Sequence, residues 1–303
     1  MSERASDPDA TAVDAPATVG ALVHALAALL TDAHVPQARA EARDLVAALL
    51  DQPRFWPSLH RDEPVDEAFV AQARRAAATR ARGAPFAYAV GRAAFRHLTL
   101  DVDERVLIPR QETEVLVDEV LARLAGRSGG TIVDVGTGSG AIALALACEG
   151  RPDRVIATDV SLDALAVAGR NVALLRTALC APVELRHGSL LAPVQDLGAG
   201  ALRAVVSNPP YIAFAEAEQL PPSVRDWEPA LALYAGNEGM ACIAAIVRDA
   251  APLLEPDGVL ALEVDARRAA LAAELAASDG RYTDVAVRLD LAGRERFVLA
   301  TRR

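Results

Sequence analysis

The chain has 303 residues and a formal net charge of −10, with 41 acidic side chains against 31 basic ones, every one of them arginine. That balance argues against a protein that lives on a polyanion such as a nucleic-acid backbone. At 52% hydrophobic it can fill the cores of two domains, and no run of about 18 apolar residues suggests a membrane span.

Residues 1–17, rich in Ala, Asp and Pro with no apolar run, read as a disordered tail that has the layout of neither a signal nor a transit peptide. Residues 18–94 read as a small helical domain. Val19–Thr31, Ala38–Leu50 and Asp66–Arg82 are amphipathic segments, broken at Val35-Pro36, Asp51-Gln52-Pro53 and Gly83-Ala84-Pro85. Arg74, Arg75, Arg80 and Arg82 crowd the third helix, as a solvated face or as a docking surface for an acidic protein. Residues 95–110 alternate apolar and polar positions (Leu98, Leu100, Val102, then Val106 and Ile108), which predicts a β-hairpin with its turn at Asp103-Glu104. A helix with an acidic first turn follows from Thr113 to Leu124. Cys148, Cys180 and Cys242 are widely separated, odd in number and lack metal-ligand spacing, so no metal is expected and a reduced cytoplasm is the natural compartment.

Residues 111–303 form the larger, α/β domain. From Gly130 strands and helices alternate: strands at Thr131–Val135, Arg154–Thr158, Val183–Arg186, Arg203–Ser207 and Gly258–Val264, with Tyr282–Leu289 and Arg296–Ala300 at the end. The helices between them are Gly140–Glu149, Leu162–Arg176, Glu238–Leu254 and Arg267–Ala277. This order implies a mostly parallel, doubly wound sheet with helices on both faces. Ligands of such sheets sit outside the carboxyl ends of the strands, where the strand order reverses.

The motifs fall at those ends. Gly136, Gly138 and Gly140 let the chain turn sharply and let a ligand approach backbone without meeting a Cβ, with Thr137 and Ser139 between them. Taken alone, the turn suits a nicotinamide fold as well as a methyltransferase fold, with Asp159 placed for a ribose in either. Asp134 breaks the tie. A carboxylate two residues before the first glycine would repel a pyrophosphate but suits a ligand with an ammonium and a sulfonium, such as S-adenosylmethionine. A plainer role, capping the turn's N–H groups, is the alternative. Gly188-Ser189-Leu190 follows the third strand.

Asn208-Pro209-Pro210-Tyr211, after the fourth strand, is the most specific signal. Two prolines stiffen the backbone and remove two donors, Asn208 adds a side-chain acceptor and Tyr211 a flat apolar face. A planar NH2 group could give one hydrogen to Asn208 Oδ1 and the other to the Pro209 carbonyl while resting on Tyr211. A rigid strand-end turn is the bland alternative.

DVGTGSGAIALALA, SNPPYIA, VLIPRQETE and the run WEPALALYAGNEGM with DLAGRERFVL resemble the protein-(glutamine-N5) methyltransferases of the release-factor type, from about Val35 to Arg303. The resemblance implies a Rossmann-like class I methyltransferase domain, preceded by a helical domain that grips a peptide-chain release factor. It implies S-adenosylmethionine as methyl donor and the glutamine of a Gly-Gly-Gln loop as acceptor. Gly136–Gly140, Asp159, Leu190 and Asn208 would contact the cofactor, and Asn208–Tyr211 the glutamine. A protein substrate, no direct nucleic-acid or membrane contact and a monomeric state complete the expectation. This chain departs from the family at His97 (usually glycine), Gln111 (usually proline) and Ser189-Leu190 (commonly Asp-Trp). Asp265 and Arg268 also depart, standing where the family has a Glu-x-Gly-x-x-Gln pattern after the fifth strand. Within the class, an enzyme acting on a ribosomal-protein glutamine is a competitor, and the Ile108–Glu114 stretch leans toward the release-factor type. DNA adenine methylation, which shares the Asn-Pro-Pro-Tyr arrangement, is disfavoured by the charge of −10. A methyltransferase-like binding module without catalysis is the other rival.

Overall fold

The computed structural model describes residues 18–303, so the expected tail over residues 1–17 lies outside the described residues. Two compact units part between Val90 and Gly91. The first contains helices α1 (Val19–Asp32), α2 (Ala38–Leu49), one-turn α3 (Trp56–Leu59), α4 (Glu67–Ala81) and α5 (Phe86–Val90). Thr18 and Asp66 start α1 and α4 by accepting from the Ala21 and Phe69 N–H groups, which relieves helix donors that have no internal partner. Leu22, Leu26 and Leu30 share one stripe of α1 and pack with Leu45 and Val46 of α2 and Val70, Ala73 and Ala77 of α4. Arg80 pairs with Glu41 and donates to the Ala84 carbonyl, so it braces this unit, while Arg74 and Arg75 are exposed.

The second unit opens with a hairpin of β1 (Arg92–Phe95) and β2 (Leu98–Asp101). Its turn is Arg96-His97, which corrects the expectation of a hairpin turning at Asp103-Glu104. The chain does bend there, with the Val106 N–H on the Asp103 carbonyl at 3.1 Å, but no strand returns. Asp103 is held instead by Arg105 and Arg170 at 2.7 and 2.8 Å, and Pro109 has no N–H to offer a ladder. Arg96 alone of the two turn residues has a positive φ, +54°, so position 97 does not require glycine. The strain at Arg96 is offset by its N–H on Glu114 Oε1 (3.0 Å) and its guanidinium on the Glu114 carbonyl (2.9 Å) and Glu149 (2.6 Å).

Beyond the hairpin come α6 (Gln111–Arg123), β3 (Thr131–Val135), α7 (Ala141–Glu149), β4 (Arg154–Asp159), α8 (Leu162–Leu174), β5 (Val183–His187) and β6 (Leu202–Ser207). Short helices α9 (Pro222–Arg225) and α10 (Ala230–Leu233) precede α11 (Ala241–Ala250), β7 (Leu254–Glu263), α12 (Ala269–Ser278), β8 (Tyr282–Leu289) and β9 (Glu295–Arg302). The helix expected to begin at Glu238 begins at Ala241, because Glu238 and Gly239 have φ of +55° and +87°.

Seven strands form one sheet in the order β5-β4-β3-β6-β7-β9-β8. The first five are parallel, and β9 runs antiparallel to both β7 and β8. Successive side chains of β3 and β6 enter opposite cores: Val133, Val135 and Val205 on one face, Ile132, Ala204 and Val206 on the other. Burial on both faces explains why these strands read as continuous apolar runs, and why α7, buried from Ala141 to Ala147, is apolar all round. From β3 the chain passes to β4 on one side and later returns to place β6 on the other. The order therefore reverses between β3 and β6.

Candidate active site

That reversal brings two sequence motifs together. Val135 and Ser207 are register partners, and Ser207 Oγ donates to the Val135 carbonyl at 2.6 Å, so the glycine turn and Asn208 leave the sheet side by side. The Gly136 and Thr137 N–H groups both donate to the Thr158 carbonyl at 2.9 Å, which pins the turn to β4. Gly136 and Gly138 have φ of +72° and +56°, and a Cβ on either would meet nothing within 4 Å: the space above the turn is open.

Asp134 is fully buried beneath the turn. Its Oδ2 accepts from Thr137 Oγ1 at 2.6 Å and from the Ala143 N–H at 3.1 Å, the capping role at the start of α7, while its Oδ1 is buried with no partner. Burial pushes this carboxyl up to about 7, against the two hydrogen bonds that favour the anion. A cationic group above the turn would restore the ionised form. Asp159, at the end of β4, accepts from the Gly138 N–H through Oδ2 and from the Ser161 N–H through Oδ1, each at 2.9 Å, with lone pairs remaining on both oxygens. The Thr137 hydroxyl is committed to Asp134 and Ser139 is buried, so what this part of the turn offers a ligand is chiefly backbone. Leu190 stands at φ +48°, its carbonyl accepting from Thr158 Oγ1 at 2.9 Å and its half-buried side chain packed against the sheet core. Open glycine floor, an orphaned buried carboxylate oxygen and an apolar side chain beyond the second carboxylate fit S-adenosylmethionine, with its charged amino-acid end and flat base.

The acceptor side is anchored from afar. Asn208 Nδ2 donates to Thr113 Oγ1 at 3.2 Å, and Thr113 Oγ1 donates to Glu263 Oε2 at 2.7 Å. The amide oxygen Oδ1 is thereby turned away from Thr113. Pro209 is buried and Pro210 half-buried. Tyr211 packs against the core, and burial pushes its phenol up to about 12, so it is a neutral surface and no base. Gly239 lies under it: a Cβ there would strike the Tyr211 carbonyl and the Arg268 guanidinium.

Four residues outside the predicted set brace the site, Asn171 at the glycine turn and the other three at this end. Glu263 is 2% exposed, and burial pushes it up to about 7 although Thr113 and nearby Arg296 favour its anion. Arg110 reaches Glu228 at 2.5 Å, tying the stretch before α6 to the segment before α10. Asn171, fully buried in α8, donates to the Asp101 and Ser139 carbonyls and accepts the Asp101 N–H, linking the hairpin to the glycine turn. Arg268, one of the family departures, binds Asp265 (2.8 Å), Glu216 (2.9 Å) and the Glu238 carbonyl (2.7 Å). The departing Asp265 and Arg268 are thus partners of each other. The signals for these four were present as polar residues inside apolar runs, or within the Pro109–Glu114 motif. Among the described residues no group of three or more His, Cys, Asp or Glu could hold a metal, and no helix is long and apolar enough to cross a membrane.

A parallel sheet that reverses its order between a glycine turn and a proline-locked amide is the architecture of an S-adenosylmethionine-dependent methyltransferase. Residues 21–91 match the PrmC N-terminal domain and residues 111–220 the methyltransferase small domain. The chain is 42% identical to a release factor glutamine methyltransferase of Moorella thermoacetica, over 89% of this chain and 93% of that one. It is 42% identical to another from Mycolicibacterium smegmatis, over 92% and 96%. Among solved structures, a methyltransferase from Pyrococcus furiosus is 18% identical with a TM-score of 0.49, over 69% of this chain and 90% of that one. The chain belongs to the release factor glutamine methyltransferase family.

Proposed function

We infer that the chain transfers a methyl group from S-adenosylmethionine to the side-chain amide nitrogen of a glutamine in a peptide-chain release factor, the glutamine of its Gly-Gly-Gln loop. One observation carries the chemistry: Asn208 is held by its own NH2 group on Thr113, which leaves its oxygen to accept, and the carbonyl of Pro209, the next residue, is taken as the second acceptor. Two acceptors at one proline-stiffened turn match the two hydrogens of a primary amide. Bound S-adenosylmethionine supplies a methyl carbon on a positively charged sulfur. The chain's task is positioning, because an amide nitrogen is a poor nucleophile, and holding reactants in line is worth about 7–11 kcal/mol in favourable cases. Positive charge would develop on the nitrogen as the new N–C bond forms and the methyl–sulfur bond breaks, its electron pair going to sulfur to leave S-adenosylhomocysteine; the two acceptors stabilise that charge, and the surplus proton leaves to water.

The helical unit supplies recognition of a folded protein, since none of the site motifs lies in it. The reaction is placed in the cytoplasm, on a monomeric enzyme that contacts neither nucleic acid nor membrane. Mass spectrometry of release factor incubated with labelled cofactor tests the reading. The expected result is one added methyl group on the Gly-Gly-Gln glutamine, lost when that glutamine is replaced. Methylation of a ribosomal protein with none on release factor would overturn it.

A further inference from the structure

A side-chain amide has an accepting end and a donating end, and the side of Asn208 that faces a substrate is decided behind it. Thr113, 4% exposed in the first turn of α6, has one hydroxyl hydrogen, and it goes to Glu263 Oε2. Only lone pairs then face Asn208, which must answer with Nδ2. Glu263 is built into this position: Ser207 and Leu262 are register partners, so Asn208 and Glu263 leave neighbouring strands at the same level.

We propose that Thr113 and Glu263 are positioning residues whose relay sets the polarity of the Asn208 amide, with ionised Glu263 presenting Asn208 Oδ1 to the substrate and protonated Glu263 reversing the relay. The proposal rests on the amide-methylation reading above. When Glu263 takes a proton from solvent, its O–H donates to Thr113 Oγ1, and the threonine hydrogen turns to Asn208. The amide then presents Oδ1 to Thr113 and its own NH2 to the substrate NH2, where two sets of donors oppose each other. The one covalent change is the O–H bond formed on Glu263 as a solvent hydronium gives up its proton; the rest is exchange of hydrogen bonds. Arg296 on β9 and Arg110 ahead of α6 favour the ionised state, and Glu112 on α6 opposes it. Tyr211, beyond β6, faces the same carboxyl as a neutral phenol, and Asp265 follows it after β7. Burial dominates and brings the exchange of states to about neutral pH.

Thr113→Val keeps the shape and removes the relay. The expected result is a kcat on folded release factor roughly 10- to 100-fold lower, below the loss from deleting an acceptor outright, with S-adenosylhomocysteine affinity unchanged. Thr113→Ser should restore most of the rate. Wild-type kcat should fall as pH drops from about 8 to 6, and Glu263→Gln, which cannot titrate, should lose that acid limb. The Asn208 side-chain NH2 signal, followed by nuclear magnetic resonance over the same range, should move in the wild type and stay fixed in Glu263→Gln. A wild-type kcat in Thr113→Val, or an unmoved Asn208 signal in the wild type, overturns the relay. The magnetic-resonance measurement needs no turnover, so it decides the relay even where wild-type enzyme proves inactive on release factor, an outcome that overturns the function reading alone.

Discussion

Most hydrogen bonds that shape the glycine turn stay within β3, β4 and the start of α7: Asp134 to Thr137 and Ala143, Gly138 to Asp159, the turn's N–H groups to Thr158; Asn171 of α8 adds one to the Ser139 carbonyl. At Asn208, the corresponding bond reaches 95 residues back to Thr113, and Thr113 reaches 150 residues forward to Glu263. The first set is complete once the consecutive segment from β3 to α8 has folded. The second needs β6, β7 and α6 in place together. Cofactor binding should therefore tolerate remote changes, while turnover depends on the assembled sheet, and variants that separate the two quantities test that division.

The largest expected effect is on turnover. Asn208→Ala removes one of two acceptors and should lower kcat by about 10²–10³, or about 3–4 kcal/mol, with a much smaller loss of cofactor affinity, because Asn208 is one cofactor contact among several and the glycine turn and Asp159 are untouched. Isothermal calorimetry and single-turnover rates measured on the same preparation separate the two. A proportional loss of both would abolish the distinction between the halves. Asn208→Asp keeps an acceptor but adds a charge that would attract the sulfonium, so activity should fall there too while binding survives.

The next effect belongs to the cofactor half alone. Asp134 has its carboxyl raised to about 7 by burial, so the folded protein holds this proton more tightly than the unfolded chain. Its contribution to stability is present below about pH 4 and is lost as pH rises through about 7. Asp134→Asn cannot titrate, and denaturant midpoints should show it losing less stability than the wild type between pH 4 and 8, by on the order of 3 kcal/mol. The same change puts an NH2 near a cationic ligand and should weaken cofactor binding. Identical pH slopes in the two proteins would mean that Asp134 is ionised without help from a ligand.

The contrast in reach also governs what could be read from the chain. Gly136–Gly140 and Asn208–Tyr211 are contiguous, and their chemistry follows from residue types in a row. Glu263 ends an apolar strand like many solvent-facing acids, and only its pairing beside β6 shows that it is buried against Thr113. Asn171 is one polar residue in α8, and its three bonds run to segments that the helix period does not reveal. The hairpin's place is hidden for a related reason: alternation continues past Asp103, and nothing local says that β2 pairs backward with Arg92–Phe95. A bulky Arg96 at positive φ hides the turn, held there by Glu114, Asp118 and Glu149.

Asp159→Ala probes whether the second carboxylate acts on the ligand or only on the turn. A lost charged hydrogen bond to the ribose hydroxyls should cost about 1.5–3 kcal/mol of S-adenosylmethionine affinity. Because Asp159 also accepts the Gly138 and Ser161 N–H groups, a drop in melting temperature should accompany it. Unchanged affinity with a lower melting temperature would make Asp159 purely structural.

The smallest change sharpens the comparison from the glycine side. Gly138 has φ +56° and open space where a Cβ would project, whereas Gly239, at φ +87°, is roofed by the Tyr211 carbonyl and the Arg268 guanidinium. Gly138→Ala meets no neighbour, so its folding penalty is the left-handed strain of an L residue, about 1–2 kcal/mol. Its methyl group enters the space assigned to the cofactor, so the KM for S-adenosylmethionine should rise while kcat at saturating cofactor stays near wild type. Gly239→Ala must displace Tyr211 or Arg268 and should act the other way, lowering kcat with the cofactor KM little changed. If Gly138→Ala lowered kcat at saturation and left cofactor KM alone, the turn would be positioning the acceptor as well, and the separation of the site into a local half and an assembled half would fail.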